Sequence, residues 1–170
     1  MLQYDPHQHI NSEAWQALDE SERIESVRQY HRQNRIRLAN ESFHATTHVI
    51  VENQVALGDT FAARAVLLRL MAEGLDRHEA IHAIGSVLSE QLLAALREEG
   101  GADPNAQYVE KLNRLTAESW RKRAHPRIYG SMYRNVQQNI AAMLPRETQD
   151  PGVAGGVSLA EGTRTSDLQG

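Results

Sequence analysis

Histidines are the residues with the clearest capacity for chemistry, and they occur eight times in this chain of 170 residues. Four of them form two pairs with i, i+4 spacing: His44 and His48 in the segment HATTHVIVENQ, and His78 and His82 in HEAIH. Residues four apart lie on one face of a helix, and imidazole binds zinc, copper, iron and nickel. Each pair therefore supplies two candidate metal ligands, provided that its helix face points inward.

A carboxylate follows the first pair on the same predicted helix face. Glu52 lies four residues beyond His48, about 6 Å along the helix axis at a rise of ~1.5 Å per residue. A carboxylate there can bind the metal itself or orient a ligating imidazole, and its alternative role is an ion pair with an arginine. The candidate metal-ligating residues are therefore His44, His48, His78, His82 and Glu52.

The elements that position these residues are predicted to be helices, because glycine, proline, asparagine and aspartate divide long stretches with little period-two alternation. After a short turn at 11–18, helices are predicted over about 20–36, 41–57, 60–73, 77–97, 104–123 and 128–143. The predicted fold class is a compact all-α bundle of about five or six helices.

Capping signals define several of these helix starts. Asp19 with Glu22, and Asp76 with Glu79, have the spacing of a capping box. The other predicted N-caps are Asn40, Asp59 and Asp103, for the helices over 41–57, 60–73 and 104–123. On the helix over 60–73, the stripe predicted to face the core consists of Phe61, Ala65, Leu68 and Ala72.

Short connections at 58–59 and 74–76 favour antiparallel packing of the helices that they join. The N-terminal halves of the helices over 41–57 and 77–97 are then expected at one end of the bundle, with the two histidine pairs level. In both helices the histidines begin a stripe that becomes apolar, which is typical of a core-facing cluster. The helix over 20–36 runs toward the same end, which places its His31 within reach of the two pairs. The alternatives are a metal-free buried histidine network and a solvated edge.

The segment HEAIH also matches H-E-x-x-H, in which two histidines hold zinc and the glutamate activates water. This gives an alternative function, a zinc-dependent hydrolase with Glu79 as the catalytic residue. Against it, Glu79 is already explained as a capping partner of Asp76, and no sheet is predicted beside the helix. A third alternative is a metal-free helical interaction scaffold.

Composition excludes several chemistries. The chain has no cysteine, which rules out disulfides, thiolate zinc sites, iron–sulfur clusters and cysteine nucleophiles. A ligand set of imidazole and carboxylate favours zinc or iron, with manganese, nickel and copper left open. The net charge of −4 argues against general nucleic-acid binding. No apolar run approaches a membrane span, and the N-terminus lacks a signal-peptide pattern, so a cytoplasmic location is predicted.

The predicted organisation is a helical domain over 1–144 and a disordered tail over 145–170, because the tail is rich in glycine, serine and threonine. The tail is a candidate docking peptide for a protein partner. A homo-oligomer is left open.

The runs NESFHATTHVIVENQVALGD and LRLMAEGLDRHEAIHAIGSVLSEQL, with the upstream ERIESVRQYHRQNRIRLAN, resemble the bacterial helical proteins grouped as domain of unknown function 1841. The resemblance covers about residues 10–97 and extends more loosely to about 123. The two H-x-x-x-H spacings and ENQ carry it. It implies a compact helical domain with these histidines as the functional residues, and it brings no established reaction.

Overall fold

The computed structural model describes residues 3–36, 38, 40–97 and 103–123, and over these residues it contains α-helices and no strand. The all-α prediction is confirmed. The predicted helix over 128–143 and the predicted tail over 145–170 lie outside the described residues. Within the described residues the helices are α1 (Ser12–Ala17), α2 (Glu20–Gln33), α3 (Glu41–Ala56), α4 (Ala62–Ala72), α5 (Arg77–Leu96), α6 (Pro104–Arg114) and α7 (Ala117–Arg123).

Helix α3 is central, since it packs against α1, α2, α4 and α5, while α6 packs on α4 and α5. It contributes to two separate apolar clusters. Val51 and Val55 belong to the cluster built with α4, α5, α6 and α7. Ala45 and Val49 join the N-terminal cluster around Trp15. No helix in the described ranges is both long and apolar enough to cross a lipid bilayer.

Side-chain caps fix several helix starts as predicted. Asp19 and Glu22 form a complete capping box at α2. Asn40 caps α3 and Asp103 caps α6. At α5 only half of the predicted capping box forms: Asp76 accepts a hydrogen bond from the backbone N–H of Glu79, without the return bond from the Glu79 side chain that completes the box at α2. The position of this cap places His78 and His82 in the first two turns of α5.

Two predicted boundaries were wrong. Asp59 does not cap α4 but lies in a 3-10 turn, Gly58–Thr60, and Phe61 stands at the N-cap position. The helix predicted over 104–123 is two helices, because Leu115 is extended and Thr116 and Ser119 start α7 by reciprocal side-chain to backbone hydrogen bonds of 3.1 and 3.0 Å.

The face of α4 that contacts the core was also predicted wrongly. The buried residues are Ala63, Val66, Leu67 and Leu70. Phe61 and Leu68, from the predicted stripe, are 38% and 58% exposed. Both faces of α4 carry apolar residues, so periodicity alone did not identify the buried one.

Helices α3 and α5 meet in the opposite sense to the one predicted. The Glu52 side chain of α3 contacts Arg77 at the start of α5, whereas the earlier Thr47 lies beside the later Gly85. Residue numbers therefore increase along α3 in the direction in which they decrease along α5, so the two helices are antiparallel where they meet. Between α3 and α4 the chain passes through a 3-10 turn and the extended Phe61, a change of direction that a rule based on connection length does not anticipate.

Gly85 sets how closely α3 and α5 approach, because a Cβ built there would lie 2.9 Å from Thr47 Cγ2. The Thr47 hydroxyl donates to the Phe43 carbonyl, which holds its rotamer. We expect Gly85→Ala to lower the thermal midpoint even though alanine is the better helix former by about 1 kcal/mol. Thr47→Ser, which removes only the methyl group, should restore much of the loss. A thermal-unfolding double-mutant cycle measures this coupling, and additive effects would contradict it.

Candidate metal centre

Five histidines from three helices converge in the interior. His31 lies in the last turn of α2, His44 and His48 lie in α3, and His78 and His82 lie in α5. The centroids of neighbouring rings are 4.3 to 5.5 Å apart. Both pairs from the sequence analysis are therefore brought together. The ring of His31, which the sequence analysis placed within reach of the two pairs, packs against both of them.

Four of these rings form a group with the geometry of a metal site. One ring nitrogen from each of His31, His48, His78 and His82 lies within 4.8 Å of the other three. A tetrahedral zinc ion with bonds of ~2.0–2.1 Å separates its ligand nitrogens by about 3.3–3.4 Å. The four nitrogens would each need to move toward a common centre by about 1 Å or less. This buried histidine group can hold a metal ion.

Three of the ring nitrogens are buried polar atoms without a hydrogen-bond partner. They are the Nε2 atoms of His48, His78 and His82, although the His82 ring as a whole is only half-buried. Buried polar groups are nearly always paired, so an unpaired one calls for an explanation such as an ion. A single cation bound among the rings would account for all three unpaired nitrogens, which come from two helices.

The backbone sets the tautomer of His31. Its Nδ1 lies 2.8 Å from the Val27 carbonyl oxygen, which can only accept, so the proton is on Nδ1. The Nε2 lone pair then faces the cluster, where His44 Nε2 is 3.0 Å away. His44 donates to this lone pair in the metal-free protein. A metal ion bound at His31 Nε2 would compete with that hydrogen bond.

A buried relay sets the tautomer of His48. The Tyr4 hydroxyl donates to Glu52 Oε1 at 3.0 Å and lies 3.1 Å from His48 Nδ1. Because the single hydroxyl proton goes to the carboxylate, His48 Nδ1–H donates to the tyrosine oxygen. The Nε2 lone pair of His48 is thereby directed into the cluster. A carboxylate that acts through an intervening group in this way is typical of metal-ligating histidines.

Arg77 holds the far end of this relay. Its guanidinium donates to both oxygens of Glu52, at 2.8 and 2.6 Å, and it also donates to the Pro6 carbonyl. The side chains of Glu52 and Arg77 are 0% and 4% exposed. Glu52 is outside the group of four that can hold an ion. Its observed contacts match the orienting and ion-pairing roles that the sequence left open.

Glu79 differs from the histidines on either side of the pattern H-E-x-x-H. Its side chain is exposed, whereas His78 and the Nε2 atoms of both histidines are buried. Its backbone N–H is bound by Asp76. The surroundings of Glu79 are those of a helix-capping position.

Burial keeps the cluster neutral. Burial, together with the charges that His31 and His78 carry when protonated, lowers the pKa of His44 to about 3. Burial lowers the pKa of His78 to about 4, with further contributions from His31 and His7. The same causes place the pKa values of His48 and His82 well below their usual range, and burial lowers that of His31. Neutral imidazole is the form that binds metals.

The sequence analysis missed Tyr4 and Arg77. Tyr4 lies 44 residues from its partner His48, in an N-terminal segment without helical periodicity, so no local signal points to it. Arg77 had a signal, because it directly precedes His78 and the sequence offered an arginine as the alternative partner of Glu52. What the sequence lacked was the sense in which α3 and α5 meet.

Comparison with known proteins gives no relatives for this chain. No family model matches it, no curated protein matches it, and no solved structure matches it. The site is therefore interpreted from its own geometry.

The lowered pKa values predict acid destabilisation of the metal-free protein. The unfolded histidines take up protons as pH falls below about 6.5, but His44 and His78 in the folded state do not until about 3 and 4. The contribution of these neutral histidines to the free energy of unfolding is thus fully present above about pH 6.5. It falls as pH decreases, by up to about 1.4 kcal/mol per pH unit for each buried histidine.

Urea unfolding in the presence of a chelator between pH 8 and pH 4.5 measures this loss. His44→Gln should flatten the profile, whereas His9→Gln, at an exposed position, should leave its slope unchanged. A free energy of unfolding that is constant from pH 7 to pH 5 would contradict the prediction.

Proposed function

We propose that this protein binds one divalent transition-metal ion through His31, His48, His78 and His82, and that the ion stabilises the packing of α2, α3 and α5. The observation that carries the proposal is the convergence of one ring nitrogen from each of four histidines, three of which also have a buried Nε2 atom without a hydrogen-bond partner. The relay through Tyr4 and Glu52 supports it, because it fixes one ligand in its metal-binding tautomer.

Zinc or iron is the proposed ion. The four ligands are neutral imidazoles, which suit both metals, and the chain offers no thiolate. Four protein ligands complete a tetrahedral shell, an arrangement typical of structural zinc sites. We therefore favour a metal-stabilised helical module over a metalloenzyme.

The zinc-hydrolase alternative has less support. It requires a general base within hydrogen-bond reach of a metal-bound water. Glu79 is exposed and lies beside a helix cap, and Glu52 is paired with Arg77. Neither carboxylate is placed as that base.

We also propose, from the quoted runs alone, that the chain is related to the bacterial proteins grouped as domain of unknown function 1841. The segments that carry the resemblance contain His31, both histidine pairs and Glu52. The cytoplasmic location remains part of the proposal.

Metal analysis of untagged protein should find about one zinc or iron ion per chain, at the scale expected for a four-histidine site. Single variants then distinguish the ligand sets. His31→Gln and His48→Gln should abolish stoichiometric binding. His44→Gln should retain it, because His44 lies outside the group of four and its Nε2 competes with the ion for the lone pair of His31. His9→Gln, at an exposed position, is the matched control.

Loss of binding in His44→Gln with retention in His31→Gln would replace His31 by His44 in the ligand set. Native protein that contains no metal, and takes up neither Zn²⁺ nor Fe²⁺, would contradict the proposal itself. Circular dichroism of each variant separates loss of a ligand from loss of the fold.

The relay gives a second prediction. Tyr4→Phe removes the acceptor of His48 Nδ1–H and should weaken metal binding by about 10–100-fold, the usual effect of losing a partner that orients a ligand. Tyr108→Phe is the matched control, because it removes a hydroxyl that donates to Gln54 away from the cluster. Chelator competition measures both dissociation constants. Equal values for the two variants would contradict an orienting role for Tyr4.

A further inference from the structure

Helix α4 presents a second apolar stripe that no described residue covers. The stripe comprises Phe61, Ala65, Leu68 and Ala72, at spacings of four, three and four residues, opposite the buried face of the same helix. Leu68 is 58% exposed and Phe61 is 38% exposed. The neighbouring Met71 is 38% exposed. A contiguous apolar stripe of this kind on an exposed helix marks an interaction surface.

The last described helix, α7, contacts both the C-terminal end of α4 and α5, where Arg123 Nη1 lies 3.7 Å from Glu90 Oε1. Arg121 of α7 donates to the Gly74 carbonyl at 2.7 Å, and the Ala117 N–H donates to Glu73. Gly74 lies two residues beyond the C-terminal end of α4. The described chain ends at Arg123, two residues beyond Arg121.

The sequence that follows has a complementary pattern. Pro126 interrupts the chain, and the predicted amphipathic helix over 128–143 carries apolar residues at spacings of four, four, four and three: Ile128, Met132, Val136, Ile140 and Met143. A helix of that length extends about 24 Å, against about 16 Å for the 11 residues of α4. Running back from the end near Gly74, it is long enough to cover the stripe.

We propose that residues 128–143 dock on the stripe of Phe61, Ala65, Leu68 and Ala72 and complete the bundle on that side of α4. The tether favours this occupant over a second copy of the chain. Only four residues, 124–127, separate α7 from the segment, and a short linker gives an effective concentration on the order of millimolar. The proposal does not depend on metal binding.

Disulfide trapping tests the contact in the full-length chain, which has no cysteine of its own. Leu68→Cys combined with Val136→Cys should form an intramolecular disulfide under mild oxidation at low protein concentration. Leu92→Cys combined with Val136→Cys is the matched control, because Leu92 is 38% exposed on α5. Equal trapping in the two pairs would overturn the proposal. Intermolecular dimers formed by Leu68→Cys alone would overturn it in favour of a second copy.

Limited trypsin digestion gives an independent measurement. Leu68→Asp should increase cleavage after Arg134 by about tenfold or more, because it places a charge in the proposed apolar contact. Leu92→Asp should not change the rate. The exposure of Leu68 makes unfolding by this substitution unexpected, and circular dichroism checks that. Cleavage at the same rate in wild type and Leu68→Asp would overturn the proposal.

Discussion

Five imidazole rings in mutual contact must stay neutral inside this protein, and much of the surrounding structure follows from that requirement. Protonation of a ring would place a charge against the neighbouring imidazoles in a buried space, at a cost of several kcal/mol without a partner. Burial lowers their pKa values accordingly. The neutral rings then direct nitrogen lone pairs toward one another, with few N–H groups available to donate hydrogen bonds to them. A cation among these lone pairs resolves the mismatch better than additional protons would.

The rings are held by groups that have little freedom to move. His31 is fixed by the backbone of its own helix, and His48 by a relay that ends in a buried ion pair. Removing one partner of such a pair typically costs about 3–5 kcal/mol. Gly85 lets α3 and α5 approach closely enough for their rings to touch. The same contacts that define the fold therefore define the site.

Local signals in the sequence predicted much of the architecture, and its long-range geometry was where prediction failed. Caps such as Asp19 and Asn40 located helix starts, because a cap depends on residues three positions apart. The i, i+4 histidine pairs identified the site for the same reason. The buried face of α4 was misassigned because both of its faces are apolar. The partner of His48 was missed because Tyr4 is distant in sequence, and the sense of the α3–α5 contact depends on the turn at 58–60.

X-ray absorption spectroscopy of the full-length, untagged protein loaded with one equivalent of Zn²⁺ tests the central claim most directly. The proposed site predicts four nitrogen ligands at about 2.0–2.1 Å, with the outer-shell scattering of four imidazole rings. A first shell made mainly of oxygen, or one with fewer than three imidazoles, would contradict it and assign the zinc to another part of the chain.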